Sequence, residues 1–326
     1  MVCWLAIWLS AMLTYDYYAR IEDPFMDARM TLHHEIVTGT APYQYRYRVL
    51  VPGAAEGLAR AFQHLPMVSS RPVAPPLVYS KRAFVLAYST LNFLALLALF
   101  WSIGELVERL FSYELGLFAV TLSAILVTFT FRNHYYHPWS FWEGAMFGVG
   151  LLLIHSRRLW LFSALTLVGL LNRETSVFLV LMLALTALPD FKSREMRFAI
   201  GTLSAWVAGF FLLHVLIGYQ PSTFFLETAI SGNRENAWFA LLLNGLLIGI
   251  VSPLLVRGVR TGPRLIQRAA FVLPAYFALL LVIGYWWEIR YWITALPIVV
   301  PAIVASMSDA AVRARSSGAR HDSANK

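Results

Sequence analysis

Apolar residues in this chain come in long runs broken by short polar punctuation, the pattern of helices in apolar surroundings and not the alternation of half-buried strands. Ten runs stand out, at 1–15, 83–102, 115–131, 139–155, 159–171, 175–189, 198–218, 238–256, 269–286 and 291–308. Several approach the ~20 residues that carry a helix across a ~30 Å hydrocarbon layer. Two, 159–171 and 175–189, are too short to cross upright, and the polar Asn172-Arg173-Glu174 lies at their joint. They predict a hairpin whose tip stops below the far surface, facing protein or water. The predicted fold is therefore all-α: a polytopic transmembrane bundle of about ten helices over residues 1–308, with a polar tail at 309–326 expected to be disordered.

The one long interruption is the segment 16–82, too large for a plain connector. Residues 26–37 predict a helix with Met26, Met30 and Val37 on its apolar face, Leu32 and Ile36 at the margins, and His33 breaking into it. Gly39 and Pro42 end that helix. Tyr43-Gln44-Tyr45-Arg46-Tyr47-Arg48 then alternates strictly, so an extended segment would put three tyrosines on one side and Gln44, Arg46 and Arg48 on the other. Residues 50–63 predict a second helix with an apolar face, lying in the membrane interface. The stretch 65–79, with four prolines, reads as an irregular return.

Composition agrees with the pattern. Of 326 residues 59% are hydrophobic and 13% charged, against about 25% charged in soluble domains, and the mean hydropathy is +0.62. A soluble globule is excluded. The net charge of +8 calls for a partner only until it is mapped. With a cytoplasmic N-terminus, 14 of the 26 basic residues fall in short inner segments and eight in the 16–82 loop. Solitary Arg132, Arg173, Arg234 and Arg290 remain outside. This is the positive-inside asymmetry. It places both termini in the cytoplasm, makes the lipid bilayer the partner of the chain, and leaves no need for nucleic acid. The first run has no basic segment ahead of it and no small-residue cleavage site, so it reads as a membrane helix and not as a cleavable leader. A lone cysteine, Cys3, permits no internal disulfide or cysteine metal pair.

Chemistry is concentrated at the predicted outer ends, where Arg132, Arg173, Arg234 and Arg290 each have a carboxylate nearby: Glu143, Glu174, Glu235 and Glu288. Ionisable groups at membrane depth are costly and face a cavity or each other, so an outer anion site is one reading and structural ion pairs are another. Arg234-Glu235 reads as a solvated turn. His134-x-x-His137 with Glu143 has elements of a metal site but lacks a helical HExxH spacing, and no metal or other cofactor is expected. His33 and His34 are adjacent and would diverge on a helix, which suits an interfacial or core role, and His214 reads as a buried, hydrogen-bonded side chain.

Asp27, Gly39-Thr40-Ala41-Pro42-Tyr43 with Tyr47-Arg48-Val49-Leu50, Asn172-Arg173-Glu174-Thr175 and Glu288-Ile289-Arg290 together resemble the layout of the polytopic GT-C superfamily of membrane glycosyltransferases. The resemblance covers about residues 1–308 and rests on short motifs. It implies transfer of a sugar from a polyprenyl-phosphate donor to an acceptor hydroxyl on the outer side of the membrane, with a first-loop carboxylate as base; the bias of 23 Arg to 3 Lys suggests a bacterial source, and so the cell's inner membrane. Asp27 is the implied base and Asp16 the second candidate. Arg46, Arg48, Arg173 and Arg290 are candidates to stabilise the phosphate leaving group. Glu174 and Glu288 would orient those arginines, and Tyr45 with its neighbours would stack on sugar or line a lipid groove. Two other readings fit the same pattern: a transporter or flippase of an anionic lipid, and a non-catalytic membrane protein.

Overall fold

The computed structural model describes residues 3–65, 80–131, 137, 139–218, 233–235, 237–283 and 288–324. Among these residues the secondary structure is all helical. The first long helix, Trp4–Glu22 (α1), leads into a layer of loop helices: Met26–Thr38 (α2), the single turn Tyr43–Arg46 (α3) and Leu50–Gln63 (α4). There follow Lys81–Leu110 (α5), Tyr113–Thr128 (α6), Ser140–His155 (α7), Leu159–Asn172 (α8), Val177–Ala187 (α9) and Arg194–Ile217 (α10). The chain continues with Ala237–Thr261 (α11), Arg264–Ala269 (α12), Val272–Ile283 (α13) and Trp292–Ala324 (α14). Helix covers most of the described part of each of the ten apolar runs. Among the described residues, Lys81–Leu110, Arg194–Ile217, Arg264–Val282 and Ile289–Asp309 are long and apolar enough to cross a membrane.

Burial sorts these helices by position. The apolar window of Ile289–Asp309 is 89% buried, against 17% for that of Arg194–Ile217, so α14 is central and α10 peripheral. From Trp292 to Met307 the sequence of α14 carries no charge and is apolar on all sides, as a surrounded helix requires. Ile293, Leu296, Val300 and Val304 pack with Ile103, Phe141 and Ala145, while Ala295, Ile298 and Val299 pack with Leu179 and Tyr276. Glycines let the helices approach. A Cβ on Gly144 would meet Ile293, one on Gly148 would meet Ser102, and one on Gly258 of α11 would strike the Ala302 carbonyl. This is the small-residue contact typical of membrane helices.

Several elements depart from the sequence expectation. The first helix runs to Glu22, so Asp16 sits within it, because Tyr15 and Tyr18 carry the packed face onward: Tyr18 is buried against Phe131 and Phe141. The Tyr43–Arg46 segment is a helical turn, not an extended strand. Contacts to the end of α10 set its register: Arg46 Nη2 donates to the Ile217 carbonyl (2.8 Å) and Tyr47 Oη to the Gly218 carbonyl (3.0 Å). With Tyr47 stacked on His214 at 3.9 Å, the loop caps the last carbonyls of α10, where a cation and hydroxyl donors are favoured.

The buried face of α2 includes Arg29 and His33 beside Met26, Met30, Leu32 and Ile36, while Val37 is exposed. Both polar groups are satisfied inside: Arg29 donates to Tyr18 Oη, and His33 bridges Tyr88 Oη and Glu56. The α4 helix packs on α5 through Val51, Ala55 and Ala59. Helical backbone continues through 309–324, the stretch expected to be a disordered tail. Most of the irregular return, 66–79, lies outside the described residues.

Candidate anion-binding site

Three arginines from distant parts of the sequence converge where α7 and α14 begin and α8 ends. Arg173 follows the last turn of α8 in extended backbone and is 7% exposed. Its Nη1 donates to Glu143 Oε2 at 2.8 Å, and Thr175 Oγ1 donates to the other oxygen of the same carboxylate. The Asn-Arg-Glu-Thr motif thus clasps Glu143 in the first turn of α7. Asn172 Nδ2 adds a bond to the Trp139 carbonyl (3.2 Å), and Trp206 Nε1 donates to Ser176 Oγ (2.8 Å). The buried carboxylate and guanidinium neutralise each other, as charges out of water must.

Arg290 is the second. Its Nη2 donates to Glu288 Oε2 at 2.5 Å and its Nη1 to Ser140 Oγ at 3.4 Å. Glu288 also faces His137 Nε2 at 3.4 Å. Burial alone would raise the Glu288 carboxyl, but the Arg290 guanidinium beside it wins and holds it below the usual carboxylate range. Burial, helped by Arg290, pushes the His137 imidazolium down to about 3, so the ring is neutral at pH 7. Because Glu288 is an acceptor, Nε2 carries the hydrogen and Nδ1 is left as a lone pair. Among the described residues Nδ1 is buried and has no hydrogen-bond partner.

Arg48 differs from the other two. It is 9% exposed, and its Nε and Nη1 have no hydrogen-bond partner among the described residues. Nor does any carboxylate among them pair with it. Its guanidinium lies over Trp139 (4.9 Å) and beside Tyr45 (5.6 Å), contacts that hold a cation without neutralising it. Burial, with repulsion from Arg173 and Arg290, lowers it to about 10 against a favourable field from Glu174; it stays charged. Trp139 Nε1, Trp142 Nε1 and Arg290 Nε are further buried donors without partners among the described residues. Each such group costs ~1–3 kcal/mol if left unmade, so the unpaired donors of Arg48 itself and of Trp139 beneath it suit an acceptor-rich anion.

Apolar cavities flank this cluster. One of about 290 Å³ is lined by Leu50, Val51, Leu91, Trp142 and Met146 and starts two residues from Arg48 along the chain. Another of about 360 Å³ runs past Phe277, Leu280 and Trp292 to Glu288 and Tyr291.

The structure therefore brings together Tyr45, Arg48, Arg173, Glu174, Glu288 and Arg290. Arg46 is turned to the end of α10. The two acidic base candidates lie on exposed surface: Asp27, 85% exposed, pairs with Lys81 at 2.5 Å, and Asp16 pairs with Arg20 at 2.7 Å. Even so, α2 belongs to the same layer as the site, since Met26 and Met30 share a cluster with Trp139. Glu174 is not the partner of Arg173; Glu143 is. Sequence reasoning missed Glu143 and His137 as partners, although a carboxylate in the first turn of so apolar a helix signals a buried counter-ion. His134 lies outside the described residues, and Glu143 is engaged by Arg173 and Thr175. Among the described residues no cluster of three metal-ligating groups occurs. Arg234 and Glu235 are exposed.

Comparison with family models, with curated proteins and with solved structures returned no match for this chain.

Proposed function

We propose that this chain is a membrane glycosyltransferase of GT-C type. It would take a sugar from a polyprenyl-phosphate donor and pass it to an acceptor hydroxyl at the outer face of the bacterial inner membrane, with both termini cytoplasmic and about ten helices embedded. The observation that carries this reading is Arg48, a buried guanidinium without a carboxylate among the described residues, beside two arginines that have theirs. A lipid phosphate supplies the missing charge and acceptors, and the flanking apolar cavities suit an isoprenoid chain. In the reaction the acceptor oxygen bonds to the anomeric carbon as the bond to the phosphate oxygen breaks. Arg48 takes up the charge of the leaving phosphate, needing no acid, while Arg173 and Arg290 set the local field.

The acceptor proton goes to a carboxylate, Asp27 of the first outer loop by the resemblance, with Asp16 of α1 second. The His137 Nδ1 lone pair is a further acceptor within the anion cluster. No metal is assigned a part.

Binding of a short-chain polyprenyl phosphate to purified protein in lipid nanodiscs tests the reading. Wild type should bind the phosphate and not the corresponding alcohol, and Arg48→Gln should abolish the preference. Equal binding of phosphate and alcohol would sink the phosphate site. Transfer assays with Asp27→Asn and His137→Gln then identify the base, because only loss of the true acceptor stops turnover without loss of binding. Vesicle flipping with no covalent product would instead favour the transporter reading.

A further inference from the structure

A third cavity, about 640 Å³, lies between α8 and α10 and opens outward from the helix bundle. It is lined by Trp160, Ser163 and Leu167 of α8, and by Arg194, Arg197, Phe198, Gly201, Thr202 and Ala205 of α10. Trp160 and Asn172 are separated by about 18 Å of helix, so this cavity is at the opposite end of α8 from the arginine cluster. At the start of α10 it is also remote from the end that Arg46 and Tyr47 cap.

Its construction is graded from charge to apolar surface. At the mouth stand Arg194 and Arg197, both exposed and, among the described residues, without an ion pair; the Arg194 guanidinium rests over Phe198 at 5.6 Å. Trp160 packs edge-on against Phe198 at 5.0 Å and forms an aromatic rim, the position indoles take at a membrane surface. Below, the floor is small. Ser163 and Thr202 hydrogen-bond to each other at 2.6 Å, so neither hydroxyl is left bare in an apolar groove. A Cβ on Gly201 would meet nothing within 4 Å. Ile200, Leu203 and Val207, on the outward face of the same helix, are exposed, which puts the groove in contact with lipid. Orientation alone explains arginines at this end of α10. It does not explain two of them set over a smooth groove with an aromatic rim.

We infer that this groove holds an anionic glycerophospholipid, its headgroup phosphate on Arg194 and Arg197 and an acyl chain laid along Leu167, Gly201 and Ala205. Basic pockets between membrane helices bind acidic headgroups in this way, and the volume falls within the ~300–1,000 Å³ of small-molecule sites. The site is separate from the proposed reaction and does not depend on it.

Lipid retention tests the inference. Full-length protein is equilibrated in detergent with equal amounts of phosphatidylglycerol and phosphatidylcholine, and bound lipid is read by native mass spectrometry. Wild type should retain phosphatidylglycerol in preference. Arg194→Gln with Arg197→Gln should weaken that retention about 30-fold, as expected from two cations at a membrane surface. Gly201→Leu keeps every charge and improves helix propensity, so it fills the groove without endangering the fold; it should also displace the lipid. Equal retention of the two lipids by wild type, or unchanged retention in the double arginine variant, would overturn the inference. Loss in the charge variant with full retention in Gly201→Leu would overturn it too, because binding would then be to the arginines alone and not in the groove.

Discussion

At the scale of single residues, the site is governed by which charges find partners. Glu143 is 3% exposed and joined to Arg173 and Thr175, so Glu143→Gln leaves a buried guanidinium uncompensated. A loss of ~3–5 kcal/mol is expected, measurable as a lower denaturant midpoint in detergent. Arg48 behaves in the opposite sense: its burial opposes its charge, and no carboxylate among the described residues forms an ion pair with it, Glu174 contributing only a favourable field. Inorganic phosphate or a polyprenyl phosphate should therefore raise the melting temperature of wild type, as any ligand of the native state does, and leave Arg48→Gln unmoved. His137 and Glu288 predict acid sensitivity. As pH falls through 6.5 the unfolded chain protonates His137 while the folded chain does not until about 3. The unfolded state binds more protons over that window, so stability drops. Below 4.5 the lowered Glu288 adds to the loss in the same direction, because the unfolded carboxyl protonates first. His137→Gln should remove the part of the acid loss between 6.5 and 4.5, as read by melting temperature against pH.

At the scale of elements, helix contacts depend on the absence of side chains. Gly258 of α11 has the Ala302 carbonyl of α14 where its Cβ would be, and Gly148 has Ser102 of α5. Backbone cannot yield as a flexible side chain does, so Gly258→Val should separate α11 from α14 and lower stability by several kcal/mol. Gly201→Val, on an open face, should be nearly neutral in the same thermal assay. The loop helices illustrate how far periodicity reaches. The positions of α2 and α4 were legible from apolar spacing and from the Gly39 and Pro42 breakers. Most of the buried face of α2 was legible too, since Met26, Met30, Leu32 and Ile36 lie on it; that Arg29 joins the polar His33 there while Val37 is exposed was not. Burial of the two polar groups becomes favourable only with Tyr18, Tyr88 and Glu56 in place. Alternation at Tyr43–Arg48 likewise pointed to an extended chain, and a tertiary cap on α10 turned it into a helical turn.

At the scale of the whole molecule, α14 is a central helix against which α5, α6, α7 and α11 pack, and the arginine cluster gathers at its start. The apolar runs of the sequence determined that the chain is helical and where its helices lie, because hydropathy and helix-breaking residues act within a turn or two. They also determined that Arg173 and Arg290 would need counter-ions, since charge amid such apolar surroundings is too costly to stand alone. Tertiary structure alone decided which counter-ions those are. Glu143 lies 30 residues from Arg173 in sequence, and ion pairing depends on distances of a few ångströms between side chains on different helices, which no local pattern encodes. The same packing left Arg48 as a buried cation with no ion-paired carboxylate among the described residues and Asp27 in an exposed pair with Lys81. A charged residue reads the same in sequence whether it is neutralised or not; only its neighbours in space make one arginine structural and another a place for an anion.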